Sequence, residues 1–389
     1  MTALVALLLA PFAVLTLFFT IEVLAGLPRM RGGRRNRATT TSAVIVIPAH
    51  DEAAVIAATL RNLKEALSAG IRVLVVADNC DDATVELARE HGVEVLERND
   101  SERRGKGYAL DYAAAHLAAN PPDVFMVLDA DCSIDGPSLQ ALVDEVAKSG
   151  RPCQTVNLLR ANRDGSPLVQ VSTFAFMLKN LVRQRGLQRL AGRVHLTGTG
   201  MAMPFALFSA SGQVRSSIVE DLALGLELAD AGHAPKLVTD AFVWSGGAGE
   251  AGTMIQRRRW EGGFIATALR HAPRLALRSL ARGDIRGLLA GLDLLVPPLA
   301  LFALLNAGVL IFATLLTLVS GAGAWPVVVQ LSLLTAAGFA VLLAWLREGR
   351  EFMSLGALVR MPLYVLWKIP LYLGLARRGA PDEWLRTGR

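Results

Sequence analysis

Three long apolar runs frame this chain and constrain where each part of it can fold. Residues 4–27 are apolar except for occasional breaks at Pro11 and Glu22. Residues 288–319 and 327–346 form two more runs, and Pro297-Pro298 divide the first of these into a short piece and a full-length one. About 20 such residues cross the hydrocarbon core as a helix. The chain is therefore expected to carry an N-terminal transmembrane anchor over 1–28 and a C-terminal membrane region of two or three spans over 285–389. Between them, residues 40–265 have the mixed composition of a globular domain.

Charge placement orients the runs. Arg29, Arg31, Arg34, Arg35 and Arg37 follow the first one, whereas a cleaved signal peptide carries its charge in front. An uncleaved anchor with an external N-terminus and a cytoplasmic middle region is expected. Arg347, Glu348 and Arg350 then return to the cytoplasm after two further crossings. The run 355–375 contains Arg360 and Lys368, and an ionised residue at the bilayer centre costs about 3 kcal/mol on insertion scales. With Arg377, Arg378 and Arg386 behind it, this run is expected to lie at the interface or re-enter. Arg270, Arg274, Arg278 and Arg282 recur every fourth residue, with Leu269, Ala276 and Leu280 opposite and Pro273 in the first turn. That is the pattern of a basic interfacial helix over 266–284. A multi-pass protein of the cell (inner) membrane, in contact with membrane lipids, follows.

The formal charge of +6 implies no nucleic-acid partner, because the arginines sit beside the apolar runs. Cys80, Cys132 and Cys153 are odd in number and lack a C-x-x-C spacing. They are expected to be small buried residues, without a disulfide or a zinc site.

The middle region alternates. Strands are expected over 43–47, 73–77, 93–96 and 124–128, and helices over 52–67, 83–90 and 107–118. A strand over 154–158, helices over 167–190 and 220–231, and short strands around Val194 and Val238 complete the reading. Alternation of this kind makes a mostly parallel α/β sheet covered on both faces. Ligands bind such a sheet outside the carboxyl ends of its strands. Three acidic clusters fall at those ends: His50-Asp51-Glu52, Asp78-Asn79-Cys80-Asp81-Asp82 and Asp129-Ala130-Asp131. Carboxylates crowded at one edge repel unless a cation or hydrogen-bond donors are present. Arg103-Arg104-Gly105-Lys106-Gly107 opens a helix, and its amides and Lys106 suit an anion. Neither G-x-G-x-x-G after the first strand nor G-x-x-x-x-G-K-[ST] occurs, which disfavours dinucleotide oxidoreductases and P-loop NTPases.

These clusters occur in a fixed order with two more motifs, Val219-Glu220-Asp221 and Gln256-Arg257-Arg258-Arg259-Trp260. The ordered set, over residues 43–263, resembles the family 2 glycosyltransferases with the GT-A fold, in the membrane-integrated branch of cellulose, chitin and hyaluronan synthases. The resemblance implies a GT-A (Rossmann-like, nucleotide-sugar-binding) domain between the membrane segments. It implies an inverting, metal-dependent hexosyltransferase that moves a sugar from a UDP-sugar to a growing saccharide chain. Single transfer to a membrane lipid acceptor and a non-catalytic nucleotide-binding scaffold are the alternatives. By the same resemblance, Pro48, Glu52 and Asp78 contact the uridine, and Lys106 contacts the nucleotide or its phosphates. Asp129 and Asp131 hold the diphosphate through Mg²⁺ or Mn²⁺, and Asp221 is the general base. Gln256, Arg259 and Trp260 close over the pyrophosphate and support the acceptor. Val219 departs from the polar residue that many relatives carry there, which touches acceptor contacts and not the base. So few spans wall a polymer channel thinly, so a partner subunit or self-association is expected with a long product.

Overall fold

A computed structural model of the chain describes residues 2–30, 41–211, 220–246, 250–320 and 323–379. The basic run 31–37, Val219 and Arg386 lie outside the described residues, as do the side chains of Glu220, Gln256 and Arg378. The chain divides into two compact units: Met30–Arg160 with Arg193–Gly246, and Met1–Arg29 with Ala161–Gly192 and Gly247–Arg389.

In chain order the elements begin with α1 (Thr2–Gly26), β1 (Ala43–Ala49), α2 (Ile56–Ala66), β2 (Ile71–Asp78), α3 (Thr84–Glu90) and β3 (Glu94–Arg98). Next come α4 (Lys106–Leu117), β4 (Val124–Val127), β5 (Cys132–Ile134), α5 (Gly136–Ser149) and β6 (Cys153–Leu159). They continue with α6 (Pro167–Met177), α7 (Gln184–Ala191), β7 (Met201–Pro204), α8 (Phe205–Ala210), α9 (Glu220–Asp230) and β8 (Lys236–Ser245). The remainder is helical: α10 (Glu250–Arg282), α11 (Ile285–Leu295), α12 (Leu299–Ser320), α13 (Trp325–Ala344), α14 (Leu355–Val359), α15 (Met361–Trp367) and α16 (Ile369–Arg378).

The first unit is built on a sheet of order β3-β2-β1-β4-β7-β6-β8-β5 among the described residues. Every residue of β1 is buried, which is why it reads as a continuous apolar run rather than an alternating one. Its side chains still divide by the period of two. Ala43, Ile45 and Ile47 pack with Ile56, Leu60 and Leu63 of α2 and Leu139 and Leu142 of α5. Val44 and Val46 pack on the other face with Leu110 of α4, Phe205 and Phe208 of α8 and Leu224 of α9.

The sheet is mixed, where a mostly parallel one was expected. Strands β3, β2, β1 and β4 are parallel, whereas β7 runs antiparallel to both β4 and β6, and β5 antiparallel to β8. The expected strand at Val194 is absent among the described residues, and the partner of β4 is Met201–Pro204 instead. Periodicity cannot make this distinction, because both segments are short and apolar. In register, Ala49 lies beside Ala77 and Val46 beside Val127, so β1, β2 and β4 deliver their carboxyl ends to one edge.

In the helical unit, Val5–Gly26, Leu299–Val319 and Trp325–Gly349 are long and apolar enough to cross a membrane. Thr16 of α1, Asn306 of α12 and Gln330 of α13 meet: Thr16 Oγ1 and Gln330 Nε2 donate to Asn306 Oδ1 at 2.8 and 2.9 Å. Such bonds join apolar helices that have no hydrophobic reason to associate in lipid. Glu22, the acidic break in the first run, accepts from Arg183 Nε at 2.6 Å, and Arg183 Nη2 donates to Asp293 at 2.5 Å. Gly186 permits the crossing, since a Cβ there would lie 2.1 Å from the Glu22 carbonyl oxygen.

The expected helix over 167–190 contains a π-helical stretch, Leu178–Arg183, between α6 and α7. Pro273 is not in a first turn: α10 runs unbroken from Glu250 to Arg282 with Pro273 inside it. The run 355–375 folds as α14, α15 and α16, with Pro362 and Pro370 each opening a helix. Lys368 is fully buried within it and neutralised by Glu261 Oε1 at 2.6 Å. Pairing of this kind is what makes a buried ammonium tolerable.

Candidate active site

Two loops floor the site. Asp51 after β1 and Asn79 after β2 both take left-handed backbone, at φ 51° and 52°. Asp and Asn tolerate this because their short side chains bond the nearby backbone. Asp51 Oδ1 accepts the Asp81 N–H at 2.7 Å, and Asn79 Oδ1 accepts the Asp100 N–H at 2.8 Å. His50 Nδ1 lies 2.7 Å from the Asp78 carbonyl oxygen, and the Glu52 N–H donates to Thr84 Oγ1 at 2.8 Å. The helix expected over 52–67 is thus loop at Glu52, and it starts only at Ile56.

Pro48 and Asp78 are buried at this floor. Asp78 Oδ1 accepts from Arg98 Nη1 at 2.5 Å and from Asn79 Nδ2 at 2.9 Å, which holds its carboxylate in one orientation. Burial and the Asp82 carboxylate push the Cys80 thiol up to about 12, so it is neutral at pH 7. For Asp82 partial burial acts upward, but hydrogen bonds from Thr84 and the Ala53 amide outweigh it and hold the carboxyl below its usual range.

The catalytic candidates gather at the end of β4. One donor atom each from Asp129, Asp131 and Cys132 lies within 4.8 Å of the others. Desolvation, then the Asp131 and Asp129 carboxylates, push the Cys132 thiol well up. It stays protonated and leaves the two carboxylates as the hard donors. Two carboxylate oxygens at this spacing fit Mg²⁺ or Mn²⁺. Lys106, first residue of α4, contacts Asp129 Oδ1 and donates to the Gly198 carbonyl at 2.6 Å.

Gly198 is the residue that sequence reading overlooked. It lies in Thr197-Gly198-Thr199-Gly200, a segment held by Gln154, whose Oε1 accepts the Thr197 N–H at 2.9 Å and whose Nε2 donates to the Thr199 carbonyl at 2.8 Å. Thr199 Oγ1 in turn accepts the Asp129 N–H at 3.1 Å. Gly198 has φ +81°, and a Cβ built on it would lie 3.0 Å from Asp221 Oδ2 and 3.4 Å from Lys106 Nζ. Asp221, in the first turn of α9, accepts the Leu222 N–H at 2.8 Å through its other oxygen. Lys106, Asp129 and Asp221 are therefore brought together around one glycine. The available signal was the paired glycines two residues apart, in a stretch of weak periodicity.

Gln256, Arg259 and Trp260 lie on α10 in the helical unit. Two neighbours seat this motif. Arg257 donates through Nε and Nη2 to Ser172 Oγ and O, both at 2.8 Å, and its guanidinium lies 5.5 Å from the Trp260 ring centroid. Glu261 binds Lys368 and accepts from Tyr372 Oη at 2.8 Å. The Trp260 ring also packs 5.4 Å from Phe176.

Residues 42–263 match the model of the glycosyltransferase like family 2. The chain belongs to that family. It is 28% identical over 120 residues to 4,4'-diaponeurosporenoate glycosyltransferase of Staphylococcus haemolyticus, a match to 30% of this chain and 31% of that one. It is 32% identical over 124 residues to glycosyltransferase AglD of Haloferax volcanii, covering 29% of this chain and 19% of the relative. These matches thus span under a third of either relative. The mannosyltransferase PcManGT from Pyrobaculum calidifontis, solved in complex with GDP-Man and Mn2+, aligns with 90% of this chain and 100% of its own. Its TM-score is 0.54 at 19% identity, a likeness of fold. Within this glycosyltransferase-like family, the strand-end carboxylates and Lys106 occupy the edge at which an open α/β sheet binds its ligand.

Proposed function

We propose that this protein is an inverting, metal-dependent hexosyltransferase that moves a sugar from a UDP-sugar to a growing saccharide at a membrane. The observation that carries the reading is the convergence of Lys106, Asp129 and Asp221 around Gly198, beside Asp131. Family membership supports sugar transfer, and the ordered motifs resembling the polysaccharide synthases support UDP and an elongating acceptor. PcManGT, of like fold, binds GDP-Man and Mn2+, so a nucleoside diphosphate sugar and a divalent ion suit this architecture.

Asp129 and Asp131 would hold Mg²⁺ or Mn²⁺, which when bound supplies charge neutralisation to the diphosphate leaving group. Lys106 adds a cation to the same leaving group. Asp221 takes the proton of the acceptor hydroxyl as its oxygen attacks the anomeric carbon. The new C–O bond forms as the bond to the diphosphate oxygen breaks, and the pair of electrons departs with the nucleotide. Attack opposite the leaving group inverts the anomeric configuration. Pro48, Glu52 and Asp78 serve the nucleoside, and Gln256, Arg259 and Trp260 serve pyrophosphate and acceptor.

The arginines after the first apolar helix support a cytoplasmic orientation in the inner membrane. Release of UDP from a panel of UDP-hexoses, with Mn²⁺ and with chelator, tests the reading. Turnover of one donor, lost on chelation, is expected. No UDP release from any donor would leave a nucleotide-binding scaffold as the better account.

A further inference from the structure

Behind Asp78 lies a closed ring of hydrogen bonds whose pivot, Arg98, has no part in the reaction above. Arg98, the last residue of β3, donates through Nη1 to Asp78 Oδ1 at 2.5 Å and through Nη2 to Asp100 Oδ2 at 3.1 Å. The Asp100 N–H donates to Asn79 Oδ1 at 2.8 Å, and Asn79 Nδ2 returns to Asp78 Oδ1 at 2.9 Å. Four residues thus close on one another, and turning the Asp78 carboxylate would break two of the bonds.

The pivot is itself held. Arg98 is buried, and its guanidinium lies 5.6 Å from the ring centroid of Tyr108 on α4. Asp100 has further anchors outside the ring. Its Oδ1 accepts the Glu102 and Arg103 amides at 3.1 and 2.9 Å, and its Oδ2 accepts Arg103 Nε at 2.8 Å. A guanidinium fixed by two carboxylates and an aromatic face is organised before any ligand arrives.

What the ring fixes is the oxygen that Asp78 can offer. Among the described residues both donors to this carboxylate fall on Oδ1, which leaves Oδ2 for a ligand. A carboxylate accepts hydrogen bonds and donates none. A fixed acceptor oxygen therefore favours a base edge that presents a ring N–H, as uracil does at N3. It repels an edge that presents a ring lone pair, as cytosine does at N3. A carboxylate free to swing would reward the first less and would turn away from the second.

We infer that Arg98 is a positioning residue for base choice: by fixing Asp78 it makes the site select a uracil-type edge over a cytosine-type one. Placing the base at Asp78 rests on the proposed UDP-sugar reading; the ring does not. UDP and CDP share one size, one ribose and one diphosphate, so the ratio of their affinities reports on the base edge.

Calorimetry on the full-length protein in nanodiscs, with Mn²⁺ present, tests this with UDP, CDP and pyrophosphate. Wild type should bind UDP about tenfold or more tighter than CDP. Arg98→Lys keeps the charge but cannot span two carboxylates, and should narrow that ratio by about threefold or more. Pyrophosphate has no base and should bind both proteins alike. If Arg98→Lys fails a thermal-melting check, Asp100→Asn loosens the second tether at constant size and should narrow the ratio in the same direction. An unchanged ratio in the folded variant overturns the inference. Parallel loss of UDP, CDP and pyrophosphate also overturns it, since Arg98 would then only support the loop before Lys106. Equal affinity for UDP and CDP in wild type removes the base from Asp78 and the inference with it. Selective UDP binding with no turnover of any UDP-sugar sinks the proposed reaction alone, and turnover with an unchanged ratio in Arg98→Lys sinks the role of Arg98 alone.

Discussion

Replacing Gly198 by alanine probes the site through the residue on which it converges. Two costs follow from the structure. At φ +81° an L-residue with a Cβ sits in left-handed backbone, a penalty of roughly 1–2 kcal/mol. The added methyl would also lie 3.0 Å from Asp221 Oδ2, so that carboxylate must give way by a few tenths of an ångström, whereas Lys106 Nζ at 3.4 Å stays in ordinary contact. Displacement of a catalytic group by about 1 Å costs on the order of 10²-fold in rate. A shift of a few tenths of that distance in Asp221 should therefore cost Gly198→Ala about tenfold in kcat, with melting only slightly earlier. Gly198→Asn separates the two costs, because asparagine tolerates the left-handed region yet carries the same Cβ. If crowding of Asp221 is what matters, the asparagine variant is equally slow but more stable. UDP release at saturating donor, paired with thermal melting, reads both. Activity within about threefold of wild type in a folded Gly198→Ala protein would refute the claim that the base lies against this glycine.

Asp131→Ala should abolish transfer and weaken UDP binding in the presence of Mn²⁺ by calorimetry; unchanged affinity in a folded variant removes the carboxylate pair from that role. Asp221→Asn should keep UDP binding and lower turnover by about 10² or more, and near wild-type activity would move the base elsewhere. Thr2→Cys should be labelled from outside intact cells and Glu90→Cys, at the exposed last residue of α3, should not, with the opposite pattern reversing the orientation. Native Cys80 is a poor reporter there, because a thiol pushed up to about 12 offers little thiolate to the label at neutral pH. Trp260→Ala should reduce transfer far more than UDP affinity, and Trp260→Phe, which keeps a ring against Phe176, should reduce it less; equal loss of both quantities in Trp260→Ala would count against an acceptor role.

The parallel half of the sheet was legible because β1, β2 and β4 are continuous apolar strands closed by acidic turns, a pattern that local burial alone writes into the chain. In the other half the strands at 154–158 and Val238 were legible as β6 and β8, but β5 and the antiparallel β7 were not. Met201–Pro204 and the segment at Val194 look alike one at a time, and only pairing with β4 chooses between them. Glu22 and Lys368 read as expensive interruptions of apolar runs. Their partners, Arg183 and Glu261, lie 161 and 107 residues away, a separation at which no periodicity carries information.

By itself the sequence determined the alternation of strand and helix, the apolar runs at both ends and the residue types available for sugar-transfer chemistry, since each depends on neighbours within a few turns of chain. Tertiary structure alone decided the mixed sheet, the pairing of buried charges and the meeting of Lys106, Asp129 and Asp221 at Gly198. Those depend on distances through space between segments remote in sequence, and a glycine gains its meaning there only from what a Cβ would strike.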